Sequence, residues 1–220
     1  MQSKPCVRAI ALTLTLLAAT AGRAAAAQRS ALPGGIALRP DSPLWLEGKS
    51  NVHDFESRST TLTATFTRRP GTKLPTTASQ IEDVLRASGV RGLELTLPTR
   101  SLHSNKDGLD KNLWQDLRAD QYPAIRFHLS RYTMAPRPAH GDTLELSVEG
   151  TLTVAGRERP VTVAGRVYRG PHGVWLEGTH ALLMTEYGIK PRRMMLGSLR
   201  VKDRIAVHFR LLLVPGGLKA

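Results

Sequence analysis

His53 and Asp54 are adjacent, and Ser101, His103 and Ser104 lie close together in number, so these are the residues whose types could support nucleophilic chemistry. A hydrolytic site needs serine, imidazole and carboxylate within hydrogen-bond reach, about 3 Å. No serine sits in a G-x-S-x-G elbow or between a strand and a helix, the framing such a nucleophile requires. The histidines are His53, His103, His128, His140, His172, His180 and His208. None is two or four residues from another, so the usual hairpin or helical metal spacing is absent, and only separate strands could assemble a site. His128 and His208 fall on the polar phase of their segments and are expected to face solvent. No glycine-rich phosphate loop and no βαβ alternation is present. The sequence therefore predicts no catalytic residue, no metal site and no cofactor. The side chains left with functional reach are large and apolar or amphipathic: Phe55, Phe66, Trp114, Phe127, Met184, Tyr187 and Met195. Met184, Met194 and Met195 near Tyr187 either fill a core or form a compliant wall, because an unbranched thioether adapts to irregular shapes.

The elements that must position these side chains are strands. Thr61–Phe66, Leu93–Leu97, Ile125–Leu129 and Leu144–Val148 alternate apolar and polar residues, and Ile205, Val207, Phe209, Leu211 and Leu213 share one face of a last long strand. Such alternation sets one face against an apolar interior and the other in water, as in antiparallel sheets. Shorter strands fit Trp45–Lys49, Thr151–Ala155, Val161–Tyr168 and Val174–Met184, with Gly150, Gly156, Gly170 and Gly173 as punctuation. Roughly eight such strands imply an all-β sandwich or closed barrel. Leu95, Phe127, Leu146, Val207 and Phe209 are the expected inward residues. Two short helices interrupt the pattern. One runs from Ser79 as N-cap, with Glu82 three positions on, to Gly89. The other covers Asp110–Leu117, where Trp114 either plugs one end of a barrel or anchors the helix to it.

The N-terminus bears on the compartment. Lys4 and Arg8 precede an apolar run from Ala9 to Thr20, and Ala24-Ala25-Ala26-Ala27 supplies A-x-A sites, the order of a secretory signal peptide. The run is about a dozen residues, short of the roughly 20 that cross a bilayer, so cleavage is favoured over an uncleaved anchor. Residues 1–27 are read as a removed signal, 28–40 as a flexible leader, 41–216 as one barrel domain and 217–220 as a tail. The expected location is the periplasm or outside the cell. The single cysteine, Cys6, leaves with the signal, so the remainder has no disulfide or thiolate chemistry. Removing Lys4, Arg8 and Arg23 from the formal +13 leaves +10. In an exported chain this excess does not point to nucleic acid; it reads as a solvated cationic surface or as attraction to an anionic membrane surface.

The order of short motifs resembles the YceI-like family. Glu47-Gly48-Lys49-Ser50-Asn51-Val52-His53-Asp54-Phe55 is similar to its opening strand and turn, with Phe55 where the G-x-S-x-x-H-D-W variant has tryptophan. Leu97-Pro98-Thr99-Arg100-Ser101-Leu102, Tyr122-Pro123-Ala124-Ile125-Arg126-Phe127, Gly150-Thr151-Leu152-Thr153-Val154-Ala155-Gly156 and Met184-Thr185-Glu186-Tyr187-Gly188-Ile189 follow in the family's order. The likeness spans about Trp45 to Pro215. Arg192 stands where this variant often has a second proline, and Pro70–Val90 is longer than usual, so one barrel mouth differs. The resemblance implies an exported lipocalin-like barrel that holds a long-chain isoprenoid or similar lipid, with no catalytic set to carry over. A prenyl chain burying roughly 600 Å² gains about 15 kcal/mol at ~25 cal/mol/Å² before association and ordering costs. The alternative reading is a cationic surface module whose barrel is filled by its own side chains and which binds anionic envelope components.

Overall fold

The computed structural model describes residues 35–40, 42–136, 142–194 and 198–216. The segments read as signal peptide and tail lie outside them, as does Met195. The strands are β1 (Ile36–Leu38), β2 (Leu44–Ser50), β3 (Asp54–Ser59), β4 (Thr63–Arg68), β5 (Val90–Pro98), β6 (Ala124–Met134), β7 (Leu144–Val154), β8 (Arg157–Gly170), β9 (Gly173–Leu183), β10 (Arg193–Met194) and β11 (Leu199–Pro215). Two helices join them, α1 (Ala78–Arg86) and α2 (Asp107–Asp116). All the ladders are antiparallel. Nine strands run in the order β3-β2-β11-β9-β8-β7-β6-β5-β4, and β1 and β10 also pair with β11. The sheet curls into an all-β, lipocalin-like barrel. Its outermost strands on this path, β3 and β4, are not laddered to each other. At that seam the Arg58 and His103 backbones exchange N–H···O bonds of 2.7 and 3.0 Å, and the Ser59 and Ser101 hydroxyls meet at 2.7 Å.

The count of roughly eight strands is corrected for three reasons. Residues 144–148 and 151–155, read as two segments, form the single strand β7, because Gly150 sits inside a continuous ladder to β8. The strand β3, with sequence DFESRS, escaped notice because two of its inward residues, Ser57 and Ser59, are buried hydroxyls rather than apolar groups. Ile36–Leu38, assigned to the leader, pairs with Leu213–Pro215, but three residues are too few to show a period. The first helix starts earlier than expected: Thr77, not Ser79, is the N-cap, its hydroxyl accepting from the Gln80 N–H at 3.3 Å. His128 is exposed, whereas His208 is half-covered by Trp45, whose ring stacks on it at 5.0 Å.

The interior has two halves. One is a filled core in which Ile81 and Val84 of α1 pack on Ile36, Phe66, Val90, Leu144, Val167, Val174 and Leu213. Glu82, on the same helix, is buried and paired with Arg169 at 2.8 Å. The other gathers Leu62, Leu97, Leu102, Leu117, Val154, Tyr187, Ile189 and Leu211 beneath α2. Leu38 and Leu176 pack against both halves.

Candidate functional site: an apolar lumen under the second helix

The half beneath α2 is not filled. A cavity of about 460 Å³ opens there, within the range of about 300–1,000 Å³ usual for small-molecule sites. Eleven of its lining residues are leucines, contributed by β2, β5, β7, β9, α2 and the loops beside them. Such a wall offers no fixed hydrogen-bond partner and selects ligands by shape and apolarity. Polar side chains are grouped where the β2–β3 turn, α2 and the segment before β10 come together: Ser50, His53, Lys106, Asn112, Asp116 and Arg192.

Two phenylalanines help keep the lumen open. Phe55 lies opposite Gly48 across the β2–β3 ladder, and a Cβ at Gly48 would collide with its ring. The ring of Phe127 covers Gly150 of the neighbouring strand in the same way. A glycine where another group approaches the backbone this closely admits the neighbour's ring, so both rings lie against the wall. Alanine at Gly48 would drive the Phe55 ring off its place, and alanine at Gly150 would meet the His128 backbone carbonyl as well as the Phe127 ring.

The second helix is the cover of the lumen, and three contacts hold it. Buried Asp110 accepts from the Ser104 N–H at 2.6 Å and the Ser104 hydroxyl at 2.7 Å, and its other oxygen meets His103 Nδ1 at 3.0 Å. The indole of Trp114 donates to the Leu102 carbonyl at 3.0 Å, with Arg100 stacked 5.3 Å from the ring. Arg192 reaches across from the chain before β10 to the Asp116 carboxylate at 2.6 Å, Asn112 Oδ1 at 2.8 Å and Gln115 Oε1 at 3.1 Å. Arg192 thus fastens the cover to the chain before β10.

Of the residues singled out in the sequence, Phe55, Phe127, Met184 and Tyr187 line the lumen together. Phe66 does not: it is buried in the filled half, against α1. Trp114 does not either: it pins α2 to the preceding loop rather than plugging the barrel. Met195 lies outside the described residues. Leu95 and Val207 face the lumen, Leu146 belongs to the filled core and Phe209 packs against the lumenal cluster. The sequence places Leu113 and Leu117 on one side of this helix with Trp114; Leu109, one turn earlier, extends the i, i+4 stripe, and all three leucines line the lumen, which the sequence reading did not foresee. The His103–Asp110 contact has the spacing of a general-base pair, but Ser104 bonds the same carboxylate rather than the imidazole. The arrangement is therefore a hydrogen-bonded loop anchor.

Asp110 gives a direct test of that anchor. Burial pushes its carboxyl up, but hydrogen bonds from Ser104 and His103 outweigh this and hold it below the ordinary carboxylate range. Asp110→Ala leaves the half-buried Ser104 N–H without its acceptor and is expected to cost about 1–3 kcal/mol, read as a lower unfolding midpoint at neutral pH. A folded-state pKa lowered in this way stabilises above the unfolded value, and the benefit is lost as pH falls through the folded one. The gap between wild type and variant should therefore narrow in acid. An equal gap at pH 7 and pH 2 would show that the carboxylate's charge does not matter.

Fold and site define an antiparallel barrel with an apolar lumen covered by a short helix. The YceI-like domain profile matches residues 47–213, and the chain belongs to the YceI-like family. No curated protein sequence matches it. Among solved structures it is similar to BcnA of Burkholderia cenocepacia, with 19% identity over 79% of this chain and 96% of that one and a TM-score of 0.57. It is also similar to a polyisoprenoid binding domain from Saccharophagus degradans implicated in plant cell wall breakdown, with 13% identity over 82% and 98% of the two chains and a TM-score of 0.59. At these identities the shared property is the fold.

Proposed function

We propose that this protein is an exported, non-enzymatic carrier or reservoir that holds a long apolar lipid of isoprenoid type in its lumen. The observation that carries the reading is the unfilled cavity of about 460 Å³ walled largely by leucine. At ~30 Å³ per water-sized group it has room for about 15 such groups, roughly three isoprene units. A longer chain extends out past the polar rim. A member of the same fold described as a polyisoprenoid binding domain supports the ligand class. Export rests on the signal-like N-terminus, and N-terminal sequencing of the protein from its producing cell tests it: a mature species retaining Met1 overturns it. The turn beside the rim carries Val52, 65% exposed, next to lumen-lining His53, an apolar tip suited to touching a membrane surface from which a lipid is drawn.

The test is uptake of a prenyl alcohol or prenyl quinone at low and high salt, with mass spectrometry of organic extracts from native material. Lumenal burial predicts uptake that persists at high salt, because apolar transfer is not screened whereas headgroup attraction is. No uptake at either salt, with extracts free of lipid, overturns the proposal and leaves a cationic surface module.

A further inference from the structure

The β8–β9 ladder runs from Gly170↔Gly173 only to Gly165↔Gly178. Beyond that, β8 stays paired with β7 down to Arg157↔Val154, and β9 stays paired with β11 down to Leu183↔Arg204. Each strand is held by its other neighbour, so the two part without unravelling. A cavity of about 330 Å³ lies in this split, lined by Arg159, Thr162, His180 and Glu186 among others. A side chain spans it where ladder bonds have ended: His180 hydrogen-bonds to the Thr162 backbone across the gap. Leu182 and Tyr187 line both this cavity and the lumen, so the two spaces meet across these two side chains.

Two routes therefore lead towards the lumen, and they differ in what must break. Lifting α2 gives up the Asp110 bonds to Ser104 and His103, the Trp114 bond to the Leu102 carbonyl and the Arg192 clamp on Asp116, Asn112 and Gln115. Each neutral hydrogen bond is worth about 0.5–1.5 kcal/mol net and each charged one more, a cost met at every exchange. At the split no β8–β9 ladder bond remains to be broken. The seal there is the side chain of Leu182 and the ring of Tyr187, which is 1% exposed. Among the described residues no hydrogen bond fixes the Tyr187 hydroxyl, and Arg159 and Glu186 act on it through their charges. The turn that carries Tyr187 is pinned at its start, where Thr185 donates to Asp203 of β11 through its N–H at 2.9 Å and its hydroxyl at 2.6 Å. It ends at Gly188, whose backbone is left-handed. The backbone is thus held while the ring is free to turn, and rotating a side chain is faster than displacing a helix.

We propose that the β8–β9 split is a side door: an apolar chain enters and leaves the lumen between these two strands, past Leu182 and Tyr187, while α2 stays fastened. The inference rests on the lumenal reading above and concerns the path, not the ligand. The cavity outside the door is polar and roomy enough to admit water, and the apolar pair separates that water from the leucine wall until a chain displaces it. A gate on the path sets the rates of uptake and release. It leaves affinity unchanged, because the free and bound states are the same whichever way the chain travels.

The experiment ties the split shut. Continuing the register past Gly165↔Gly178 sets Thr162 beside Ala181, and both line the split. Thr162→Cys and Ala181→Cys, with Cys6→Ser so that no other thiol remains, are joined by a short bis-maleimide. The same variant capped with N-ethylmaleimide is the unlinked control. Stopped-flow fluorescence follows uptake and release of phenylnaphthylamine, a neutral dye that brightens in apolar surroundings, and a titration gives its affinity. The proposal expects the linked protein to take up and release the dye at least tenfold more slowly than the capped control, at equal affinity. Leu182→Ala, which thins the seal, should speed release, and Arg192→Ala, which frees the cover, should leave both rates within twofold of wild type. Unchanged rates in the linked protein overturn the door. Rates that rise tenfold in Arg192→Ala and do not respond to the link place the path under α2 and overturn it too. Affinity lost on linking, with release no slower, makes the split part of the binding site rather than a passage and also overturns it. A wild-type protein that binds no dye and no prenyl alcohol sinks the lumenal reading itself, and the door with it.

Discussion

Leu46→Trp is expected to abolish lipid uptake, weakening it at least tenfold, while leaving the fold nearly as stable as before. Leu46 faces the lumen from the middle of β2, opposite Ser57 on one side and Val207 on the other, and both of those neighbours line the cavity too. The indole therefore projects into space that no side chain occupies. Adding bulk to a well-packed interior typically costs about 1–3 kcal/mol, but a cavity of about 460 Å³ absorbs it without displacing neighbours. The matched control is Val167→Trp. Val167 is 1% exposed in the filled half, where the same change meets packed side chains and should show the full overpacking penalty. Thermal unfolding of both variants, beside uptake of a prenyl alcohol by Leu46→Trp, checks the pair. A Leu46→Trp protein that unfolds as readily as Val167→Trp would show that the lumen is closed by its own side chains in solution.

That contrast marks what the sequence could and could not convey. Period-two alternation located the inward faces of β4, β5, β6, β7 and β11, because burial of one sheet face imposes that period. It carries no information about height along the barrel axis. Phe66 and Phe127 look equivalent in the sequence, each in an alternating strand, yet one is sealed under α1 and the other lines the lumen. The difference is made by which helix covers which end, a long-range fact. β3 stayed hidden because its inward Ser57 and Ser59 are hydroxyls: Ser57 lines the lumen and Ser59 bonds the Ser101 hydroxyl across the seam. The β8–β9 ladder ends at Gly165↔Gly178, and Pro160 further back along β8, with no N–H to give a ladder, is a local sign of that; one proline read singly has a bland explanation.

Ile81→Ala is the change expected to cost most in stability, about 2–5 kcal/mol, the usual range for truncating a buried aliphatic side chain. Ile81 is fully buried, and with Val84 three positions on it forms the face by which α1 closes its end of the barrel. The helix cannot settle to fill the void. Its N-terminus is capped by Thr77, Tyr132 donates to its Leu85 carbonyl at 2.9 Å, and Arg169 holds Glu82 beside the vacated position. A cavity would therefore persist, which places the cost in the upper part of that range. Function should respond differently. The lumen is walled mainly by the other cluster, which meets this one at Leu38 and Leu176 and through the lumen-lining Phe127, so the folded fraction should bind lipid with nearly unchanged affinity. Chemical denaturation with binding measured on the folded fraction separates the two effects. If affinity falls tenfold where folding is still complete, the plug does more than close the barrel: it sets the shape of the lumen through Leu38 and Leu176, and the two halves of the interior act as one.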